Sequence, residues 1–333
     1  VERIPVDGGR QVLLITNHVS EHYDAMYIGH MDTVFPDGTA EKRPFRIEGE
    51  NYYGPGVGDM KNGDLAMFHI AANLPETEKK CLNIAMVYNP DEEIGSIYSK
   101  EITDRIGCQA DHIFVMESAG KNGTRHCFAR KGSLTYDIEF QGQAAHAGFM
   151  FEVENASAVL EMGHYIVELM SLADREKDTT VNVGIANGGT ARNVVADHAK
   201  ISVEMRFRDD SERIRLKEYV NKITEGQPFV PGVKTTITMQ KETPPFIKTE
   251  EAKKYIERVR KIAEEHGIPF EEKDRGGLSD ANHLSRCGKA IVMDGMGPHG
   301  ANDHSEKEYG YIGSVEPCVK LHLAILNDML NKQ

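Results

Sequence analysis

Asp24-Ala-Met-Tyr-Ile-Gly-His-Met-Asp-Thr33 begins as a short buried strand and ends in a turn. Strand side chains alternate, so His30 and Asp32 at its end point to the same side. An imidazole binds a metal through one nitrogen, and a nearby carboxylate can orient the ring. A single His at a strand end is more often structural. The reading therefore depends on whether the rest of the chain supplies further ligands.

Candidates recur at strand ends. The apolar run within Cys81–Asn89 reads as an interior strand and leads into Asp91-Glu92-Glu93-Ile-Gly95-Ser96. Three consecutive acids at the end of a buried strand are costly unless something positive balances them. The strand His112-Ile-Phe-Val-Met116 runs into Glu117. In open α/β sheets, ligand sites gather at the carboxyl ends of the strands. Between these runs lies Tyr53-Gly-Pro-Gly-Val-Gly-Asp59-Met-Lys61, a sharply bending loop that presents one carboxylate before a helix expected over residues 61–73. On spacing alone Asp59 reads as the N-cap of that helix. The glycine density before it raises the alternative of a ligand.

The chain has 333 residues, enough for one large domain and a smaller one. Its net charge of −13, from 52 acids against 39 bases, argues against nucleic acid and anionic membrane as partners. No apolar run approaches the roughly 20 residues that span a bilayer. The cysteines Cys81, Cys108, Cys127, Cys287 and Cys318 form no C-x-x-C pair. They fit reduced thiols, and a cytoplasmic location is expected. The start, Val1-Glu-Arg-Ile-Pro, has neither a Met nor a signal peptide, and a truncated N-terminus is expected.

Around Arg130 the pattern changes. Strands over 132–141, 180–186, 199–207 and 233–241, with helices over 154–172 and 211–226, give the order β-α-β-β-α-β of a ferredoxin-like unit. Ser211 reads as the cap of the second helix. The strand over 180–186 reads as a sheet edge, the kind often covered by another subunit, so a homodimer through this unit is expected. After Pro244-Pro245 come a helix over 249–266 with a Thr cap, the loop Gly276-Gly-Leu-Ser-Asp-Ala-Asn282, a strand to Asp294, a loop holding His304, and a helix over 315–330. The expected fold class is α/β. A mixed-sheet catalytic domain is formed by 1–129 and 244–333, with residues 130–243 inserted as an α+β dimerisation or lid domain.

His30, Asp59, Glu93, Glu117 and His304 supply two imidazoles and three carboxylates without thiols, a set that suits Zn²⁺, Mn²⁺ or Co²⁺. Five ligands serve two ions if one carboxylate bridges, and the glycine-rich loop makes Asp59 the best bridge. Two close divalent metal ions can activate water. Glu92, beside the ligand Glu93, is placed to act as general base.

Together, His30-Met-Asp32-Thr33, Gly54-Pro-Gly-Val-Gly-Asp59-Met-Lys61-Asn-Gly63, Asp91-Glu92-Glu93-Ile-Gly95-Ser96, Glu117 and His304-Ser-Glu-Lys-Glu-Tyr309 resemble the metal motifs of the two-zinc exopeptidase family. That family includes aminoacylase, succinyl-diaminopimelate desuccinylase, peptidase T and glutamate carboxypeptidase. The likeness is greatest to the glutamate carboxypeptidase branch and covers nearly the whole chain. It implies one zinc held by His30 and Glu117, another by Glu93 and His304, and Asp59 between them. Glu92 is then the acid/base and Asp32 orients His30.

The same resemblance implies that His146, in Gly142-Gln-Ala-Ala-His146-Ala-Gly148, crosses a dimer to stabilise the oxyanion. Asn193, in Gly188-Gly-Thr-Ala-Arg-Asn193, helps bind substrate, and Arg206 holds a substrate carboxylate or makes a salt bridge within the sheet. Gly277 and Ser279 belong to a substrate-binding loop. His304 is preferred to His299 because it precedes Ser-x-x-Glu-Tyr; His299 reads as a loop residue. Two departures stand out: less chain precedes His30 than is usual, and Leu278 stands where relatives often have a smaller residue. The expected activity is that of a carboxypeptidase-like metallo-exopeptidase. It cleaves the amide bond of a peptide or N-acyl amino acid. An aminopeptidase, a dipeptidase and an N-acyl amino acid deacylase are the alternatives.

Overall fold

In the strand Tyr23–His30, Ala25 and Tyr27 enter one apolar cluster while Met26 and Ile28 enter another. A strand buried on both faces belongs in the middle of a parallel sheet. The structure, a computed structural model, describes residues 1–331 and places this strand inside a six-stranded sheet. The order is Glu2–Val6, Arg10–Thr16, Ile84–Asn89, Tyr23–His30, Ala110–Val115, Ile291–Met293. The last four run parallel, and the first two form an antiparallel hairpin against Ile84–Asn89. The sheet is therefore mixed.

Helices cover both faces. Ala66, Met67 and Ile70 of Asn62–Asn73, Ile256 and Val259 of Glu250–Glu265, and Leu321 and Ile325 of Val315–Leu330 join the cluster around Tyr27. Ile106 and Leu284 close the other face over Ile28 and Ile113. Burying a side chain of this size contributes about 1.5–3 kcal/mol. The close approach of Asn62–Asn73 to the sheet requires glycine at 63, where a Cβ would lie 2.0 Å from the Met116 carbonyl oxygen.

Register decides which residues meet. His30 pairs with Asn89 and Ile28 with Val115. The turns holding Glu92, Glu93 and Glu117 thus leave the same edge of the sheet as His30. A second, five-stranded sheet joins Ser118–Ala119, which follows Glu117, to Gly297–Ala301 and Tyr309–Tyr311.

Contacts divide the chain into two compact units, Val1–Arg130 with the chain from Phe246 onward, and Lys131–Pro245. The second unit is an antiparallel sheet in the order Thr180–Gly188, His198–Phe207, Gly132–Gln141, Lys234–Thr243. Helices Ala158–Met170 and Asp210–Glu225 pack on it through Tyr165, Leu169, Leu216 and Val220. This is the ferredoxin-like order, with Thr180–Gly188 at an edge as expected.

Several boundaries differ from the sequence reading. Ser157 caps the first of these helices, which starts four residues later than 154. The second is capped by Asp209, whose carboxylate accepts the Glu212 N–H, and not by Ser211. Residues Glu76–Cys81 form a helix, so the expected strand at Cys81 begins only at Ile84. His299 lies in the strand Gly297–Ala301, buried, with Nδ1 2.9 Å from the Ala119 carbonyl oxygen. Among the described residues no helix is long and apolar enough to cross a membrane.

Candidate active site

His30 ends its strand only 1% exposed. Its Nε2 lies 3.1 Å from Asp59 Oδ1, 3.5 Å from Glu117 Oε1 and 3.9 Å from Glu92 Oε2. Its Nδ1 faces Asp32, at 3.2 Å from the carbonyl oxygen and 3.4 Å from Oδ1. The Asp32 carboxylate also accepts the backbone N–H groups of Glu92 (3.1 Å) and Glu93 (3.0 Å). One residue therefore faces the imidazole and holds the backbone of the acidic turn.

Asp59 does not cap the following helix. Lys61 occupies the N-cap position and makes no side-chain capping bond. The second Asp59 oxygen, Oδ2, lies 3.1 Å from His304 Nε2, which is 3.3 Å from Glu93 Oε2. Two groups thus share one carboxylate: His30, Asp59 and Glu117, and His304, Asp59 and Glu93. In the first, His30 is buried and Asp59 and Glu117 are partly so, whereas the His304 side chain is 56% exposed.

The electrostatics suit a bound cation. Burial and the Asp59 charge push Glu93 up to about 7. Burial, again with Asp59, raises Glu117. Burial lifts Glu92 well above the ordinary range even though His30 opposes the shift. Burial disfavours the His30 imidazolium, but hydrogen bonds to Asp32, Asp59 and Glu117 hold its pKa well above the usual value. Burial would raise Asp59 as well, yet its bonds to His30 and His304 keep it low. Glu93 Oε1 is buried without a hydrogen-bond partner. His30 with Asp59 and Glu93, and His30 with Glu92 and Glu117, lie close enough to hold a metal ion. His304 adds a second imidazole beside Asp59 and Glu93. This oxygen–nitrogen set, one carboxylate having an orphaned oxygen, fits divalent metal ions.

Two supporting arrangements escape sequence reasoning. The Glu308 carboxylate accepts the backbone N–H groups of Gly56, Gly58 and Asp59. Its bonding partners lie about 250 positions away, and no spacing signals them. In the second arrangement, Asp280 accepts from Asn89 Nδ2 at 2.8 Å and Ser96 Oγ at 2.6 Å, which ties the loop Gly276–Asn282 to the acidic turn. His283 Nε2 lies 3.0 Å from Asp280 Oδ1. Burial opposes its charge, but Asp104 and Asp280 raise the His283 pKa to about 9.

Gly277 and Ser279 sit differently from the metal cluster. The Gly277 carbonyl accepts from Arg130 Nη1 at 3.3 Å. The buried Ser279 hydroxyl donates to Asp294 Oδ2 at 2.8 Å, and Asp294 forms a buried ion pair with Arg130. In the second unit, His146 pairs with Val194 in a two-residue ladder, and the Asn193 carbonyl accepts the Ala147 N–H at 2.9 Å. His146 and Asn193 are thereby neighbours, and His146 is exposed. Arg206 Nη2 lies 2.7 Å from Glu204 Oε1, an ion pair along its own strand.

A mixed sheet with covered faces, carrying a two-histidine, three-carboxylate cluster where its parallel strands end, defines a metal-dependent hydrolase. The chain belongs to peptidase family M20/M25/M40, whose model matches residues 26–328. Members are hydrolytic metallopeptidases that act on amide bonds. Carboxypeptidase G2 of Pseudomonas sp. (strain RS-16) is 25% identical over 333 residues, covering 99% of this chain and 76% of that protein. A tripeptidase from Staphylococcus aureus superposes with a TM-score of 0.76 at 21% identity, over 97% of this chain and 85% of that one. A dinuclear metal binding peptidase of the M20 family from Bacillus subtilis gives a TM-score of 0.72 at 12% identity, over 100% and 88%.

Proposed function

We propose that the protein is a carboxypeptidase-like metallo-exopeptidase that hydrolyses the amide bond of a peptide or N-acyl amino acid. The observation that carries this reading is the division of the Asp59 carboxylate, with Oδ1 facing His30 and Oδ2 facing His304. His30 and Glu117 would hold one divalent ion and Glu93 and His304 the other, with Asp59 shared; the oxygen–nitrogen donor set suits Zn²⁺, with Co²⁺ or Mn²⁺ as alternatives. Bound there, the ions would lower the pKa of water and polarise the scissile carbonyl.

The chain's own groups do the rest. Glu92, held by Asp32 through its backbone N–H, takes the proton from water and passes it to the leaving amine. His146 of the partner subunit donates to the developing oxyanion. Asn193, Arg206, Gly277 and Ser279 contact substrate, with Arg206 exchanging Glu204 for the substrate carboxylate. A homodimer through the inserted unit is supported by its edge strand Thr180–Gly188, with exposed Ile185, and by exposed Leu160 and Val167 on the neighbouring helix. Unpaired cysteines fit a cytoplasmic location.

Likeness to carboxypeptidase G2 favours the carboxypeptidase over the aminopeptidase, dipeptidase and deacylase readings, which share the same metal residues. The test assays the metal-loaded protein on dipeptides blocked at either end and on N-acyl amino acids. Cleavage of N-blocked dipeptides with a free carboxylate is expected. Cleavage only of C-terminally blocked dipeptides with a free amine would replace this reading with an aminopeptidase.

A further inference from the structure

We propose that Glu308 positions Asp59 and so sets the affinity of the His304–Glu93 metal position. The inference rests on the two-metal reading above. Glu308 is 1% exposed, and both its oxygens are engaged. Oε2 accepts from the Gly56 N–H at 2.8 Å; Oε1 accepts from Gly58 at 2.8 Å and Asp59 at 3.0 Å. A buried carboxylate is costly unless hydrogen bonds replace its water. Three converging amide dipoles supply them.

The loop is built for this approach. Gly56 has φ +75°, and a Cβ at Gly58 would stand 3.1 Å from the Tyr309 carbonyl oxygen and 3.3 Å from Gly300 Cα. The loop backbone therefore lies directly against the segment that carries Glu308.

Glu308 follows His304 by four residues. One carboxylate thus ties the segment that carries His304 to the loop that carries Asp59, and those two side chains meet at 3.1 Å. His30 and Glu117 need no such tie, because they follow hydrogen-bonded neighbours in the main sheet. Loosening the Glu308 contact should weaken the His304–Glu93 position most, where Asp59 and His304 both lose their tie, and the His30–Glu117 position less, where Asp59 alone is loosened. Gln at 308 offers one acceptor oxygen, and its NH₂ group faces a backbone donor, so at least one of the three bonds is lost.

The test titrates metal-free Glu308→Gln with Zn²⁺ against a chromophoric chelator, after thermal melting has shown that the variant is folded. The ion at the His304–Glu93 position should bind about 10- to 100-fold more weakly than in the wild type, and the other should lose less. Wild-type affinity for both ions in folded Glu308→Gln would overturn the proposal. Amide hydrogen exchange on the metal-free wild type checks the contact without any variant. Gly56, Gly58 and Asp59 should exchange slowly, and exchange at free-coil rates would overturn it. A wild type that binds no second ion would instead overturn the two-metal reading and the affinity claim with it, whatever the amides show.

Discussion

Asp59 Oδ2 lies 3.1 Å from His304 Nε2 across 245 residues of sequence. Since the other oxygen faces His30, Asp59 belongs to both candidate metal groups and His304 to one. Asp59→Ala should abolish tight binding of both ions, whereas His304→Ala should leave one ion per chain at the buried position. Elemental analysis of the dialysed proteins reads this directly. An Asp59→Ala variant with full metal content would remove Asp59 from the site.

Asp32 makes two hydrogen bonds to the acidic turn as well as facing His30. Asp32→Ala leaves the two N–H groups without their acceptor, at a cost of about 1–3 kcal/mol in the metal-free protein. Turnover should fall as well, because Glu92 loses its anchor. Denaturant melts check the first effect. An unchanged midpoint would mean that water replaces the carboxylate without loss.

These relationships also explain what was legible in the sequence. His30, Glu92, Glu93 and Glu117 stand out because each follows an apolar run, and strand register alone brings such ends together. The ferredoxin-like order was legible from its alternating strands, such as Leu134, Tyr136, Ile138 and Phe140 on one buried face. On spacing alone Asp59 reads as a cap, because a capping acid and a bridging acid both precede a helix. The structure separates the two, because Lys61 holds the N-cap position and the Asp59 carboxylate meets His30 and His304. Glu308 and Asp280 stand in motifs quoted from the sequence, but their roles are not legible there, because their partners are backbone amides or side chains far away in sequence. Ser211 misled because Asp209, two residues earlier, competes for the same cap and reaches the Glu212 N–H.

His283 gives the protein a pH-dependent component of stability through Asp280, which braces the acidic turn. Its pKa rises from 6.5 to about 9 between Asp104 and Asp280. A raised histidine stabilises fully below its unfolded pKa and loses that contribution as pH climbs through the folded value. The stability difference between wild type and His283→Gln should therefore shrink between pH 6.5 and 9, by on the order of 3 kcal/mol at most. Urea unfolding across that range tests it, and a constant difference would contradict a charged His283.

His146→Ala should lower the rate without loss of metal, since His146 belongs to the inserted unit and not to the metal cluster. Mixed dimers that combine a Glu92→Gln chain with a His146→Ala chain should regain activity, because one of the two sites then has an intact Glu92 and a partner's intact His146. Mixed dimers no more active than either parent would rule out action across the interface.

The central claim is that this chain cleaves amide bonds with Glu92 as the proton carrier beside two metal positions. Its most direct measurement is steady-state hydrolysis by Glu92→Gln, together with metal content on the same sample. The account predicts two ions per chain and a kcat reduced by at least about 10²–10⁴-fold. A metal-replete variant that turns over at close to the wild-type rate would contradict it.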